Sequence, residues 1–256
     1  AQVAKVANNV GVLLEDHNRS DDAQSAYRQA RLVDPRNISA LLNLHNLTRR
    51  EKRPEFAAVD QELKDLIKKS PPKYSLWSLA TVFGYVRSPE YFAGRGWAWA
   101  MSGKPNLGIF ELQRAVRLSG GHSQAQQALG SLFLSQQRTG ESEQTFRDLL
   151  VKNPENRVAI LGLARVALLK RNFEAAEGYL ARLEELKSDA GVIAQYRAMM
   201  AAQRGDNAGA LKLLQKLVTD YPDRTQIWAA LAAVALDLND TKALDAARFF
   251  FGTATV

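Results

Sequence analysis

Residues able to do acid–base, nucleophilic or metal chemistry are few in this 256-residue chain, and they stand apart. The three histidines, His17, His45 and His122, are each isolated. None has a second histidine four residues away, the spacing that puts two metal ligands on one helix face. Cysteine is absent, which rules out disulfides, thiolate nucleophiles and Cys-ligated metal. Gly120-Gly121 lacks the Lys-Ser/Thr of a phosphate-cradling loop and reads as a helix stop. Asp21-Asp22 and Glu184-Glu185 are sequence neighbours, so on a helix their carboxylates diverge and do not converge on one substrate atom. The expectation is therefore no catalytic residue, no cofactor and no metal. Whatever the chain does must come from how its elements arrange side chains for contact.

Those elements repeat. Four stretches carry the same ladder of small and large residues: Gly11, Ala23, Tyr27, Ala30 and Pro35; Gly96, Gly108, Leu112, Ala115 and Gly120; Gly130, Ser142, Phe146, Leu149 and Pro154; Ala198, Ala210, Leu214, Leu217 and Pro222. A fixed period of about 34 residues built on small residues marks a stacked helical-hairpin array, in which each hairpin buries its apolar face only against its neighbours. Gly or Ala at the eighth and twentieth places of a unit lets two antiparallel helices approach, and a large apolar residue at the twenty-fourth fills the groove between them. Proline at the thirty-second, as in Asp34-Pro35, Asn153-Pro154 and Tyr221-Pro222, ends the second helix.

These residues resemble the tetratricopeptide repeat (TPR) family, over nearly the whole chain. The implied fold is all-α: a right-handed superhelical solenoid of antiparallel helical hairpins, with repeats near 4–37, 38–73, 89–122, 123–156, 157–190, 191–224 and 225–256. The fifth has Ser188 where proline is usual, and the seventh is one residue short between its helices. The second is irregular: Arg49 to Pro54 lengthen its turn, and Val59, Leu63, Leu66 and Ile67 are displaced by two places. Between Lys73 and Ser88, Leu76-Trp77, Ala80 and Phe83-Gly84 have helical apolar spacing with no partner hairpin, so an unpaired inserted helix is expected near 74–88, the alternative being a degenerate repeat whose second helix has been counted with the next unit.

In the family the first helix of each unit lines the concave surface. The resemblance places Lys5, Asn8, Asn9, Asn43, Asn46, Arg49 and Arg50 there in the first two units, and Trp97, Met101, Leu161, Arg165, Tyr196 and Met199 in later ones. The asparagines are suited to hydrogen-bond the backbone of an extended peptide whatever its side chains, as in the asparagine ladders of some family members. The Trp and Met positions suit a partner helix or apolar side chains, whereas Trp99, at the consensus aromatic place, is expected to pack internally. The family's carboxylate clamp needs a Lys and an Asn around the first glycine; Asn8 and Val12 stand there instead, which argues against chaperone-tail binding.

A net charge of +7 favours acidic partners, but it divides almost evenly along the chain. The densest basic cluster, Arg49 to Arg53 and Lys64 to Lys73, has five acids among it and reads as a solvated face. The 46% hydrophobic content contains no run long enough to span a membrane. Absence of an initiator Met and of a signal sequence suggests a mature or excised piece, and the missing Cys favours a periplasmic or cell-envelope location over the cytoplasm. The chain is thus expected to be a non-enzymatic scaffold that binds a protein or peptide in a bacterial envelope-associated assembly. The alternatives are an RNA-binding helical repeat, disfavoured because basic and aromatic residues do not recur at base-reading places, and a regulatory or targeting region of a larger enzyme or export machine. The edge ending in Phe249-Phe250-Phe251 is expected to present apolar surface to further repeats or another subunit.

Overall fold

The computed structural model describes residues 1–69, 82–120 and 123–253. Fourteen α-helices and no strand occur among them. They are α1 (Gln2–Asp16), α2 (Ser20–Val33), α3 (Ile38–Arg50), α4 (Phe56–Lys69), α5 (Pro89–Met101), α6 (Pro105–Leu118), α7 (Ser123–Ser135), α8 (Thr139–Lys152), α9 (Arg157–Leu169), α10 (Phe173–Glu185), α11 (Ala190–Gln203), α12 (Asn207–Asp220), α13 (Thr225–Leu238) and α14 (Thr241–Thr253). Odd and even helices pair in sequence as hairpins, α1 with α2 through α13 with α14. The chain forms two compact units, Ala1–His122 and Ser123–Val256. Within a unit, hairpins stack in sequence, α2 on α3 in the first and α8 on α9, α10 on α11 and α12 on α13 in the second.

The turn between the two helices of every hairpin is set by one residue with positive φ: Asn18, Lys52, Gly103, Gln137, Arg171, Gly205 and Asn239. After each, the next N–H closes a bond to a carbonyl five residues back, as in Arg19 N–H to the Leu14 carbonyl and Asn172 N–H to the Ala167 carbonyl, the Schellman closure of a helix C-terminus. The fifth repeat ends its second helix without proline by the same device: Lys187 is left-handed, and Ser188 N–H bonds the Leu183 carbonyl at 2.9 Å. Helix starts are capped where the sequence allows it, with Asn37, Ser88, Asn156, Asn172, Asp189 and Asp206 accepting backbone N–H groups of the first turn.

The small-residue ladder has the predicted role. A Cβ on Gly11 would lie 2.5 Å from the Tyr27 ring, and one on Gly96 2.6 Å from Leu112 Cγ. Phe146 is gripped twice: Gly130 faces it from its own hairpin and Gly162 from the next, so the ring fills the space two absent side chains leave. Ser142 takes a place elsewhere held by Gly or Ala because its hydroxyl is satisfied by the Gly130 carbonyl at 2.9 Å.

The inserted helix expected near 74–88 does not reach Ser88. Val82 and Phe83 are helical, but Gly84 to Ser88 leave the helix, with Ser88 N–H turned back onto the Val86 carbonyl at 2.9 Å; residues 70–81, with Leu76-Trp77 and Ala80, lie outside the described residues. Gly84 has φ +99°, open to glycine and strained for other residues, and Ser88, extended ahead of Pro89, caps α5. At the far end Phe250 stacks on Trp228 with ring centroids 4.8 Å apart, while Phe249 is 74% exposed.

Gly130→Leu forces a side chain into the Phe146 ring and should cost about 1–3 kcal/mol in chemical denaturation. Gly178, where a Cβ meets nothing within 4 Å, should accept the same change with a shift under about 0.5 kcal/mol.

Candidate functional site

In the first unit, α1 and α3 lie side by side, and Asn9 and Asn43 occupy equivalent places one repeat apart. Both are engaged by the chain's own strap, Gly84–Ser88. Tyr85 N–H donates to Asn9 Oδ1 at 2.7 Å and Arg87 N–H to Asn43 Oδ1 at 2.7 Å. The Tyr85 carbonyl accepts from Asn8 Nδ2 at 2.9 Å and from Asn43 Nδ2 at 2.8 Å. Alternate residues of an extended chain point their amides the same way, so two asparagines one repeat apart can read N–H groups two residues apart. Asn43 Nδ2 also donates to Asn8 Oδ1 at 2.9 Å, which fixes both carboxamides. Asn37 adds a sixth contact: while its oxygen caps α3, its nitrogen donates to the Phe83 carbonyl at 3.1 Å.

The strap's side chains are held as firmly. Arg87 donates from Nη1 to Glu15 Oε1 at 2.8 Å and from Nε to Asp16 Oδ1 at 2.9 Å. Glu15 is buried and also accepts from Arg50 Nη1 at 2.7 Å and from the Tyr27 hydroxyl at 2.7 Å. Burial pushes the Tyr27 phenol far above its ordinary value, and the neighbouring Glu15 charge adds to this. Asp16 accepts from Arg114 Nη2 of α6 at 2.6 Å, and Arg114 reaches on to Glu111, which pairs with Arg95. Arg95 in turn lies 4.2 Å over the Tyr85 ring. Two acids ending α1 sit at the negative end of its dipole, which accounts for the arginines gathered there.

The remaining residues singled out in the first unit are scattered. Asn46 and Arg49 are exposed, Trp97 is 50% and Met101 84% exposed, and Trp99 lies under Lys104 with the ammonium 5.0 Å from the ring centre. Sequence reasoning missed Glu15, Asp16 and Arg87. Two acids at a helix C-terminus with no basic residue in its last turn were the available signal, since that position calls for a cation.

In the second unit, the first helices of adjacent hairpins, α9 and α11, open a pocket of about 250 Å³. Val158, Leu161, Leu183, Val192 and Ile193 line it, with Arg157, Lys187, Ser188 and Asp189. Arg157 and Val158 also line an adjoining polar pocket with Gln127, Asn153, Glu155 and Asn156. Tyr196 packs beside Leu161 on the core below, whereas Arg165 and Met199 are exposed. Val158 and Val192 were not among the singled-out residues. Among the described residues no group of His, Asp or Glu could hold a metal ion, and no helix is long and apolar enough to cross a membrane.

These observations define an all-helical repeat protein. Residues 127–191 match the sequence profile described as Tetratricopeptide repeat. A tetratricopeptide repeat protein from Parabacteroides merdae superposes with a TM-score of 0.60 at 16% identity, over 100% of this chain and 93% of that one. A TPR protein from Thermus thermophilus gives 0.56 at 16% identity, over 65% of this chain and 90% of that one. Both likenesses concern the fold. The chain has the fold of a tetratricopeptide repeat solenoid, and residues 127–191 carry that repeat's sequence pattern. Such repeats are generally scaffolds of protein–protein interaction. Cellulose synthase 1 operon protein C from Komagataeibacter xylinus is 28% identical over 145 residues, which is 49% of this chain but only 11% of that protein.

Two predictions follow from the two units. Asn43→Ala removes carboxamide contacts to Tyr85, Arg87 and Asn8 and leaves buried groups unpaired, so it should destabilise the first unit by about 1–3 kcal/mol, while exposed Asn46→Ala stays within about 0.5 kcal/mol. The resemblance to the repeat family places Asn43 on a surface open to a peptide; its burial under the strap gives it a part in stability as well. In the second unit, Asp189 caps α11 through Gly191 and Val192 N–H and pairs with Arg224, which holds its carboxyl below the usual range. A depressed folded pKa stabilises above the unfolded value of about 4 and is lost as pH falls through the folded one. Asp189→Ala should cost about 0.5–2 kcal/mol at neutral pH. Denaturation at successive pH values should show that difference shrinking in acid.

Proposed function

We propose that the chain is a non-enzymatic protein-binding scaffold whose second unit takes its partner on the face of the first helices, with an apolar side chain of a peptide or partner helix seated between α9 and α11. The pocket at Val158, Leu161 and Val192 carries this reading: it is open, apolar and framed by both charge signs at Arg157, Lys187 and Asp189. Its size suits a single large side chain, the usual form of an interface anchor. Arg165 and Met199, exposed on the same two helices, extend the surface, and Tyr196 supports its floor. We place the scaffold in a bacterial envelope-associated assembly. Support comes from the likeness to a protein named for a cellulose synthase operon and from the absence of cysteine.

Immobilised wild-type chain should retain a reproducible set of proteins from an envelope extract, identified by mass spectrometry. Val158→Glu and Val192→Glu should each lower that retention at least tenfold, because a buried unpaired carboxylate costs several times RT, while Trp97→Ala leaves it unchanged. Retention of the same set by both glutamate variants would remove the pocket from the interface. Binding instead to RNA, with affinity falling steeply and log-linearly with salt, would move the chain to the nucleic-acid class.

A further inference from the structure

The strap Gly84–Ser88 meets the groove of α1 and α3 as a bound peptide meets a receptor. Its backbone is read by carboxamides at Tyr85 and Arg87, and its arginine enters the acid pair Glu15 and Asp16. The glycine is selected too: a Cβ at Gly84 would come 2.6 Å from Asn9 Oδ1 and 2.7 Å from Asn8 Nδ2. The floor so covered is carboxamide and carboxylate, which water solvates once uncovered. Val86 is the apolar side chain that the strap itself buries. The core of the two hairpins, with Val12, Ala23, Leu41 and Leu47 fully buried and Val59 and Leu63 beside them, is supplied by α1 to α4.

We propose that this groove is a recognition site for extended peptides carrying glycine three residues ahead of arginine, and that the chain's own Gly84–Arg87 is its resident ligand, which excludes a partner's segment until displaced. The contacts divide the labour. Asn8, Asn9 and Asn43 read backbone, the buried place of Val86 takes an apolar side chain, the glycine is demanded by close approach, and the arginine is demanded by two carboxylates at the negative end of α1. Because the resident ligand is tethered, its effective concentration is high, and a free peptide of the same sequence competes poorly with it. The site belongs to the first unit alone and does not depend on the pocket between α9 and α11.

The test uses the full chain and a fluorescein-labelled peptide with the sequence of residues 82–90, followed by anisotropy. Gly84→Val, which places a branched side chain at positive φ against Asn9, should eject the strap. That variant should bind the peptide at least tenfold more tightly than wild type, and adding Asn9→Ala with Asn43→Ala should abolish the gain. Equal affinity of wild type and Gly84→Val overturns the proposal, as does no binding by a Gly84→Val chain with wild-type circular dichroism. If Gly84→Val loses helical signal, hydrogen exchange of the unaltered chain decides. Tyr85 and Arg87 amides exchanging at least tenfold faster than those of Leu44 and Leu47 support a strap that lifts; equal protection makes the strap part of the fold and overturns the proposal.

Discussion

Five of the hairpins depend on a contact between a residue with little or no side chain on the first helix and a ring or branched chain on the second. Gly11 meets Tyr27, Gly96 meets Leu112 and Gly130 meets Phe146, while Ala164 with Leu180 and Ala198 with Leu214 share the corresponding buried clusters. Helices packed at such a point sit close enough for backbone and ring to touch, and protein interiors tolerate little slack on either side of that fit. Phe146 shows how the contact joins neighbours as well as partners, since it also faces Gly162 of the following hairpin. With the approach set by these residues and the turn set by a left-handed residue in each hairpin, equivalent side chains recur in equivalent places.

That recurrence lets short polar side chains act together. Asn9 and Asn43 are one repeat apart, and their carboxamides accept the N–H groups of residues two apart on an extended strap. A carboxamide is both donor and acceptor, so Asn43 satisfies a peptide N–H, a peptide carbonyl and the side chain of Asn8 at once. Buried polar networks are costly when incomplete, and this one is closed on the strap's backbone. The same strap brings Arg87 to Glu15 and Asp16, and Asp16 reaches Arg114 of α6, so the acids ending α1 tie the first two hairpins to the third through side chains.

The two units present different chemistry on their first helices. The first is amide- and charge-lined and is occupied by the chain itself; the second is largely apolar between α9 and α11 and is open. A helical repeat array can carry such contrasts because each hairpin needs the ladder residues only for its packing and leaves the first helix's outward places free to vary. The fold therefore sets where contact happens, and the residues at those places set what is contacted.

The amino-acid sequence by itself determined the repeat. Glycine, alanine and proline act locally, through close approach and fixed φ, so their spacing alone gave the hairpins, the positions of most turns and the roles of Gly130 and Phe146. It also singled out Asn8, Asn9 and Asn43 as readers of extended backbone, since carboxamides at those places have few other uses. Only the tertiary structure decided what they hold. Residues 74–88 carry apolar spacing that suits a helix, and nothing local in Tyr85-Val86-Arg87 forbids one; the non-helical form is held by hydrogen bonds from side chains more than forty residues away, the nearest in sequence being Asn43. Arg87 could not be matched to Glu15 and Asp16 by spacing for the same reason, and the pocket at Val158 and Val192 arises from the separation of two helices that neither helix encodes alone. Local signals are legible because they act within one helix or turn, whereas a site assembled from distant segments appears only when packing has brought them together.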